Sequence, residues 1–230
     1  MNESTPPAEP TPSYPVEFDV EPQLTGRNRL TVAFRIILAI PHLLIVGTPG
    51  FALGGGFWIY SRNGGQGFNF VSGLSGNGVL GAVAAVVAVI AWFAILFTSK
   101  HPRGLWDLTR MYMRWRTKAG AYTALLRDEY PPFGEAPYPV TYVVAYPETP
   151  RNKWSVGLRF FYLIPHVFVL FFLTLAWSIT TVIAWFAILF TGAYPEGLYT
   201  FGVGVMRWSI RVESYALLMR DEYPPFSMEP

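Results

Sequence analysis

The stretch VIAWFAILFT occurs twice in this chain of 230 residues, at positions 89–98 and again at 182–191. A second stretch, RDEYPPF, follows each occurrence at the same distance, at 127–133 and 220–226. Identical strings that recur in the same order and spacing indicate an internal duplication. The chain is therefore expected to contain two copies of one structural unit.

The two copies differ by one insertion. Matching residues early in the unit are 124 positions apart, as in Ile40-Pro41-His42 and Ile164-Pro165-His166, whereas those later in the unit are 93 apart. The first copy therefore holds 31 additional residues between His42 and Val89, in a region rich in Gly, Ser and Asn. That composition predicts a flexible external loop, placed at about residues 54–78.

Composition favours a chain that contacts lipid. It is 52% hydrophobic and 14% charged, whereas a soluble domain has roughly 25% charged residues. The absence of cysteine excludes disulfides, thiolate nucleophiles and cysteine-ligated metal sites. Residues 1–13, rich in Pro, Glu, Ser and Thr, lack the features of a signal peptide and are predicted to be a disordered tail.

Four apolar segments approach the length of about 20 residues that a helix needs to cross a bilayer. They lie at about 30–53, 79–97, 154–173 and 175–190. The last two are nearly continuous. Because a single helix of about 38 residues would be too long to cross one bilayer, a tight hairpin is predicted near Thr174 to Ser178. A soluble helical core is the competing interpretation, but residues 79–97 have neither a charge nor a polar face. Basic residues flank the segments in a way that favours four spans with both termini in the cytoplasm.

Each predicted hairpin is followed by an amphipathic segment, at about 103–126 and 196–219, with apolar residues at steps of three and four. Trp and Tyr on one face and Arg on another are typical of a helix in the membrane interface. The apolar stripe could also pack on the protein's own spans, and both can hold. The arginines predicted to contact lipid headgroups, including those of anionic lipids, are Arg103, Arg110, Arg114, Arg207 and Arg211.

Each unit opens with a short segment that alternates like a strand. Val16, Phe18 and Val20 alternate with Glu17 and Asp19, and residues 140–146 are the counterpart. The two strands are expected to pair and to join the halves. The predicted fold is thus an all-α integral membrane protein, with repeat 1 at 14–137 and repeat 2 at 138–230. Each repeat consists of a short strand, a hairpin of two transmembrane helices and an interfacial helix, and the two repeats are predicted to have the same orientation in the membrane.

Two pairs of polar residues fall within the apolar segments. Arg35 and His42 are seven residues apart, as are Arg159 and His166, so each pair lies on one helical face. Ionisable residues inside a span suggest a functional site, such as a proton relay or an anion site. A structural role is the alternative, because Arg35 could reach the headgroups and His42 could satisfy a carbonyl freed by Pro41.

The motif RDEYPPF ends each unit. Adjacent carboxylates could serve acid–base catalysis, but the motif is better explained as the end of the amphipathic helix, with the acids pairing with nearby arginines. Its candidate site residues are Asp128, Glu129, Tyr130, Asp221, Glu222 and Tyr223. No metal site, cofactor site, catalytic residue or nucleic-acid partner is predicted, since neither His42 nor His166 has a carboxylate at ligand spacing and the glycine-rich run contains no phosphate-binding motif.

Together, the I-P-H triplets, the W-F-A-I-L-F-T…P-x-G-L exits and the D-E-Y-P-P-F ends resemble a bacterial, largely actinobacterial, membrane family known only as a domain of unknown function. The resemblance implies a multi-pass protein of the cytoplasmic membrane and supplies no activity. We expect a non-enzymatic protein that organises lipid or a membrane protein partner at the cytoplasmic leaflet, with a homo-oligomer as a further possibility. The alternative is a small transporter or channel that uses the Arg/His pairs.

Overall fold

The computed structural model describes residues 14–47 and 78–230. The predicted tail at 1–13 and the predicted loop, up to residue 77, lie outside the described residues. The described part contains two strands and seven helices. The strands are β1 (Val16–Val20) and β2 (Val140–Val144), and the helices are α1 (Arg29–Ala33), α2 (Arg35–Val46), α3 (Gly78–Thr98), α4 (Arg103–Thr123), α5 (Lys153–Gly157), α6 (Arg159–Thr191) and α7 (Glu196–Ala216).

Helix α6 is a single helix of 33 residues that continues through Thr174 to Ser178, so the hairpin predicted there is wrong. The segment contains no Gly or Pro that would favour a turn. At 1.5 Å per residue its path is about 50 Å long. Within the described residues, two helices, α3 and α6, are long and apolar enough to cross a membrane. The prediction of four transmembrane helices is therefore not supported.

Helices α2 and α3 are together the counterpart of α6. They contain 12 and 21 residues, which equals the 33 of α6. The start of α3 lies directly against the end of α2, since a Cβ atom added to Gly78 would come within 2.5 Å of the Gly47 backbone nitrogen. The first copy thus holds the same long helix, with the extra residues inserted at one point between Val46 and Gly78.

Helices α4 and α7 form the centre of the molecule. Helix α4 packs on α2 and α3, and α7 packs on α6 and β1. Every residue from Gly202 to Tyr215 of α7 is buried, as is every residue from Arg116 to Tyr122 of α4. The apolar stripes of the predicted interfacial helices therefore pack on the protein's own long helices.

The predicted strand pair is present, and it reveals a symmetry. Strands β1 and β2 are antiparallel, with Phe18 opposite Tyr142, and these two residues are equivalent in the two copies. An antiparallel pair of equivalent strands has a two-fold axis at its centre, so the copies are related by a pseudo-two-fold axis through this pair. The apolar side chains face inward, whereas Glu17 and Asp19 are exposed on the outer face.

The symmetry sets the start of each long helix beside the end of the other. Helix α1 packs on α6, where the Trp185 indole nitrogen donates to the Val32 carbonyl at 2.9 Å. Helix α5 packs on α3 in the same way, and Trp92 donates to the Val156 carbonyl at 3.0 Å. The two long helices therefore run in opposite directions.

Candidate functional site

A charged cluster joins the start of each long helix to the segment that follows the central helix. In the first copy, Asp128 accepts hydrogen bonds from Arg27 at 2.7 Å and from Arg35 at 2.5 Å. The Arg35 guanidinium also stacks on the ring of Tyr122, 4.1 Å from its centroid. The second copy repeats this arrangement with Arg151, Arg159, Asp221 and Tyr215. We call each such cluster an arginine clamp.

The electrostatics of the clamp favour an ionised aspartate. Burial alone would raise the pKa of Asp128, but hydrogen bonds and charge from Arg27, together with the charge of Arg35, outweigh burial and hold that pKa below its ordinary value. The same balance lowers the pKa of Asp221. Each clamp holds two arginines on one carboxylate, so it carries a net positive charge. The charged groups of each clamp pair with one another inside the protein, which is typical of an interaction that stabilises the fold.

The backbone beside each clamp is strained. Leu125 and Leu218 adopt φ values of 63° and 64°, a conformation that costs a residue with a Cβ atom roughly 1–2 kcal/mol. Their carbonyls accept hydrogen bonds from Arg27 and Arg151, at 2.5 and 2.9 Å. The arginines thus hold the chain where it leaves the central helix.

The clamp brings together residues that were predicted from the sequence to belong to two different sites. Arg35 was assigned to an intramembrane site and Asp128 to the terminal motif, yet they contact each other. Sequence reasoning did not assign Arg27 and Arg151 to a site. The matching Arg-Asn pairs at 27–28 and 151–152 were the available signal.

The two histidines of the predicted intramembrane pairs, His42 and His166, form a second repeated cluster. His42 is fully buried, and its Nδ1 accepts a hydrogen bond from the Trp115 indole at 3.0 Å. His166 and Trp208 form the equivalent bond at 3.1 Å. An aromatic ring of the terminal motif stacks on each imidazole, with centroid distances of 4.6 Å for Phe133 and 4.0 Å for Phe226.

These tryptophans fix the chemical state of the histidines. An indole N–H can only donate, so Nδ1 must be unprotonated and the neutral imidazole carries its proton on Nε2. A metal ion at Nε2 would require that proton to move to Nδ1, which would break the bond from tryptophan. Among the described residues, no group of three His, Asp or Glu side chains is arranged to hold a metal ion. The geometry therefore favours a structural histidine over a ligand or a proton relay.

The remaining residues of the terminal motif pair locally or pack on the histidines. Glu129 accepts from Arg127 at 2.6 Å, and Glu222 accepts from Arg220 at 2.5 Å. The rings of Tyr130 and Tyr223 lie against His42 and His166, with centroid distances of 4.9 and 4.8 Å. The motif thus closes over the histidine cluster, and its acids are engaged by arginines.

The five arginines predicted to contact lipid headgroups separate into two groups. Arg103, Arg110 and Arg114 are at least partly exposed on α4. Each lies within 3.5 Å of a carboxylate: Glu148, Asp107 and Glu135, respectively. Arg207 and Arg211 are buried, and their guanidiniums donate to the Phe18 and Glu229 carbonyls at 3.0 and 2.8 Å. Only the first group is placed where a headgroup could reach it.

One buried ion pair breaks the symmetry near the axis. Arg116 of α4 and Glu213 of α7 are 2.8 Å apart. Burial alone would raise the pKa of Glu213 and lower that of Arg116, and for Arg116 the pull of Glu213 prevails, so its pKa is raised. Arg116 also donates to the carbonyl of Val46 at 2.8 Å, where the first long helix is interrupted. A cavity beside the pair holds about 20 Å³ of space for water, roughly the room that one molecule needs.

Sequence reasoning missed this pair, although comparing the copies could have found it. The positions equivalent to Arg116 and Glu213 are Ser209 and Gly120, so neither charge has a counterpart. In the second copy the helix is unbroken and the carbonyl of Leu170 is satisfied within it. In the first copy Arg116 supplies the missing donor, and Glu213 balances its charge.

Comparison with known proteins identifies a family. Residues 77–134 and 153–228 both match the family model described as "Domain of unknown function (DUF4389)". The two matches fall in the two copies of the repeat, and the first begins at residue 77, at the end of the inserted residues. No curated protein and no solved structure matches the chain.

Proposed function

The chain belongs to the DUF4389 family, and we propose that it is a non-enzymatic membrane protein that organises lipid or a protein partner at the cytoplasmic leaflet of a bacterial membrane. One observation carries the proposal: each long helix exposes a continuous apolar stripe. In the second copy the stripe includes Phe161, Phe168, Phe172, Ile179 and Phe190, each at least 54% exposed.

The first copy repeats this stripe in the same helical phase. Ile37, Leu44 and Phe97 are exposed at the positions equivalent to Phe161, Phe168 and Phe190. In the most apolar window of α3 only 28% of the residues are buried, and in that of α6 only 17%. A core helix of a soluble protein would be mostly buried. Contiguous apolar surface on this scale marks contact with a membrane or a protein partner.

Lipid is the favoured partner because α4 carries arginines that are at least partly exposed. Arg103, Arg110 and Arg114 are the exposed arginines of α4 and could bind phosphate groups, each worth about 1 kcal/mol near an anionic surface. Their carboxylate neighbours are partly or largely exposed, so these ion pairs are weak and exchangeable.

The test is reconstitution into liposomes of neutral or anionic lipid, followed by flotation and identification of bound lipids and proteins. We expect enrichment of anionic lipid, which decreases when Arg103, Arg110 and Arg114 are all changed to Gln. A matched control changes Asp107, Glu135 and Glu148 to Asn or Gln, which removes the paired acids and keeps the arginines. Unchanged lipid and partner binding in the arginine variant would count against the proposal.

A small transporter or channel built on the Arg/His pairs has less support. Arg35 and Arg159 are committed to the clamps, and His42 and His166 accept from tryptophan. Proton or anion flux through proteoliposomes that carry the wild type, or the variant with both histidines changed to Ala, would test this alternative. Flux that is present in the wild type and lost in the variant would favour it.

A further inference from the structure

The proposed membrane role raises the question of how the long helices lie in the bilayer. We infer, on the premise of that role, that both long helices lie within one leaflet, with all their ends at the same membrane surface and the strand pair facing water. We call this the one-leaflet placement. The alternative is that the long helices cross the bilayer.

The pseudo-two-fold axis distinguishes these two arrangements. It exchanges the two ends of the molecule, since Arg27 lies beside Gly192 at one end and Arg151 beside Ser99 at the other. With the axis along the membrane normal, both ends lie at one depth. With the axis in the membrane plane, the ends lie on opposite surfaces and the copies are inverted. Only the second arrangement lets the long helices cross.

The strand pair argues against crossing. It lies on the axis, midway between the two ends of the molecule, and its outer face exposes Glu17, Asp19 and Thr141. If the long helices crossed the bilayer, this face would lie at mid-depth, where charged side chains are strongly unfavourable. With the axis along the normal, the same face points into water.

The basic residues at the two ends give an independent argument. Arg29 is exposed at one end, and Lys100, Arg103 and Lys153 are exposed at the other. Basic residues that flank apolar segments remain on the cytoplasmic side. Because basic residues lie at both ends of α6 and at both ends of the pair formed by α2 and α3, both ends are assigned to that side.

The distribution of apolar surface agrees with this assignment. The stripes lie on the sides of the long helices that face away from α4 and α7, whereas the charged face of the strands lies on the other side of those central helices. The molecule thus has one apolar face and one polar face, as an interfacial membrane protein has. Both copies then have the same orientation relative to the membrane.

Cysteine accessibility can test the one-leaflet placement, because the natural chain has no cysteine. Single substitutions are made at exposed positions in the full-length protein: Thr25→Cys at one end, Lys100→Cys at the other, Glu17→Cys on the strands and Phe172→Cys on a stripe. Each variant is treated with a membrane-impermeant maleimide in right-side-out and in inverted vesicles. The cysteine-free wild type gives the background.

We expect Thr25→Cys, Lys100→Cys and Glu17→Cys to be labelled only from the cytoplasmic face. Phe172→Cys should remain unlabelled from both faces, because the stripe lies in lipid. Labelling of the two ends from opposite faces would overturn the placement, as would protection of Glu17→Cys from both faces. In either case the protein is still membrane-bound, so the proposed function survives. Release of the wild type by alkaline carbonate, with Phe172→Cys labelled, would overturn the proposed function and the placement together.

Discussion

At the residue scale, the structure is organised by arginines that bind partners far away in the sequence. Arg35 was correctly placed on one face of a helix with His42, because helical periodicity is local information. Its partner Asp128 is 93 residues away, and no periodic pattern predicts that contact. The prediction that the acids of the motif RDEYPPF pair with nearby arginines identified the type of interaction. The arginines beside them in the sequence pair with Glu129 and Glu222, whereas Asp128 and Asp221 pair with distant arginines.

Removing the shared carboxylate should destabilise the protein strongly. In Asp128→Asn, Arg27 and Arg35 would remain buried without a counter-charge, at a cost of about 3–5 kcal/mol. The equivalent change, Asp221→Asn, should have a similar effect. Thermal unfolding in mild detergent measures the loss. Glu222→Gln is the control, because that carboxylate is half exposed and pairs only at the surface, so its unfolding temperature should barely change.

The clamps should also make stability depend on pH. The pKa values of Asp128 and Asp221 are lower in the folded protein than the ordinary value of 3.8. A group of this kind stabilises the fold above its unfolded pKa and loses that contribution as the pH falls through its folded pKa. The wild type should therefore lose stability below about pH 4. Asp128→Asn should show a smaller loss over that range, and equal pH profiles for the two proteins would contradict the assignment.

The histidine assignment predicts a spectroscopic change. Trp115→Phe removes the donor to His42 Nδ1 and should cost about 1–3 kcal/mol, because a buried acceptor loses its partner. Nitrogen-15 NMR of labelled histidine should report a proton on Nε2 in the wild type and a mixture of tautomers for His42 in the variant. Trp92→Phe, which removes an indole that donates to a backbone carbonyl, should leave the histidine signals unchanged.

At the scale of the elements, the error in the prediction of the helices came from the length expected of a membrane span and not from composition. A run of about 38 apolar residues was divided into two spans because one bilayer needs only about 20. That rule assumes that the helix crosses, whereas the backbone of α6 continues without a turn. The insertion in the first copy reinforced the error, because it was interpreted as a loop between two separate helices. The apolar stripes of α4 and α7 were recognised, but their packing on the long helix of the same copy could not be derived from one segment alone.

The insertion should be dispensable for folding. Deleting residues 47–77 joins Val46 to Gly78 and gives a helix with the same number of residues as α6. Changing Gly78 to Phe, the residue at the equivalent position 171, should add roughly 1 kcal/mol by removing a mid-helix glycine. We expect the variant to be monodisperse, with circular dichroism per residue at least as helical as that of the wild type. A control that keeps Gly47 and adds a short Gly-Ser linker before Gly78 should also be monodisperse and equally helical. If both variants aggregate, the end-to-end arrangement of α2 and α3 is contradicted.

At the scale of the whole molecule, the duplication and the strand pair were predictable, and the symmetry axis follows from them only when the register is known. The repeats fix which residues are equivalent, and the structure adds that Phe18 faces Tyr142. Even then, the sequence could not predict that Arg116 and Glu213 meet, because each is a departure from the repeat. A search for residues that the two copies share cannot find residues that differ between them.

The axis predicts that the second half can replace the first in a dimer, provided that one charge is removed. In a symmetric dimer of residues 138–230, each Glu213 would face Ser209 of the partner instead of an arginine, leaving two buried unpaired carboxylates. The variant Glu213→Gly, which takes the residue found at position 120, should dimerise more tightly in detergent than the unchanged half. Sedimentation and cross-linking through Thr141→Cys would measure this, and equal association of both forms would contradict it.

The asymmetric ion pair also has a genetic consequence. The two identical stretches at 89–98 and 182–191 are sites where unequal crossing-over could shorten the gene to a single copy. The product would keep Glu213 and lack Arg116, so its self-assembly would be penalised from the first generation. A lineage that acquires such complementary charges is therefore less able to return to a single-copy gene by one recombination event.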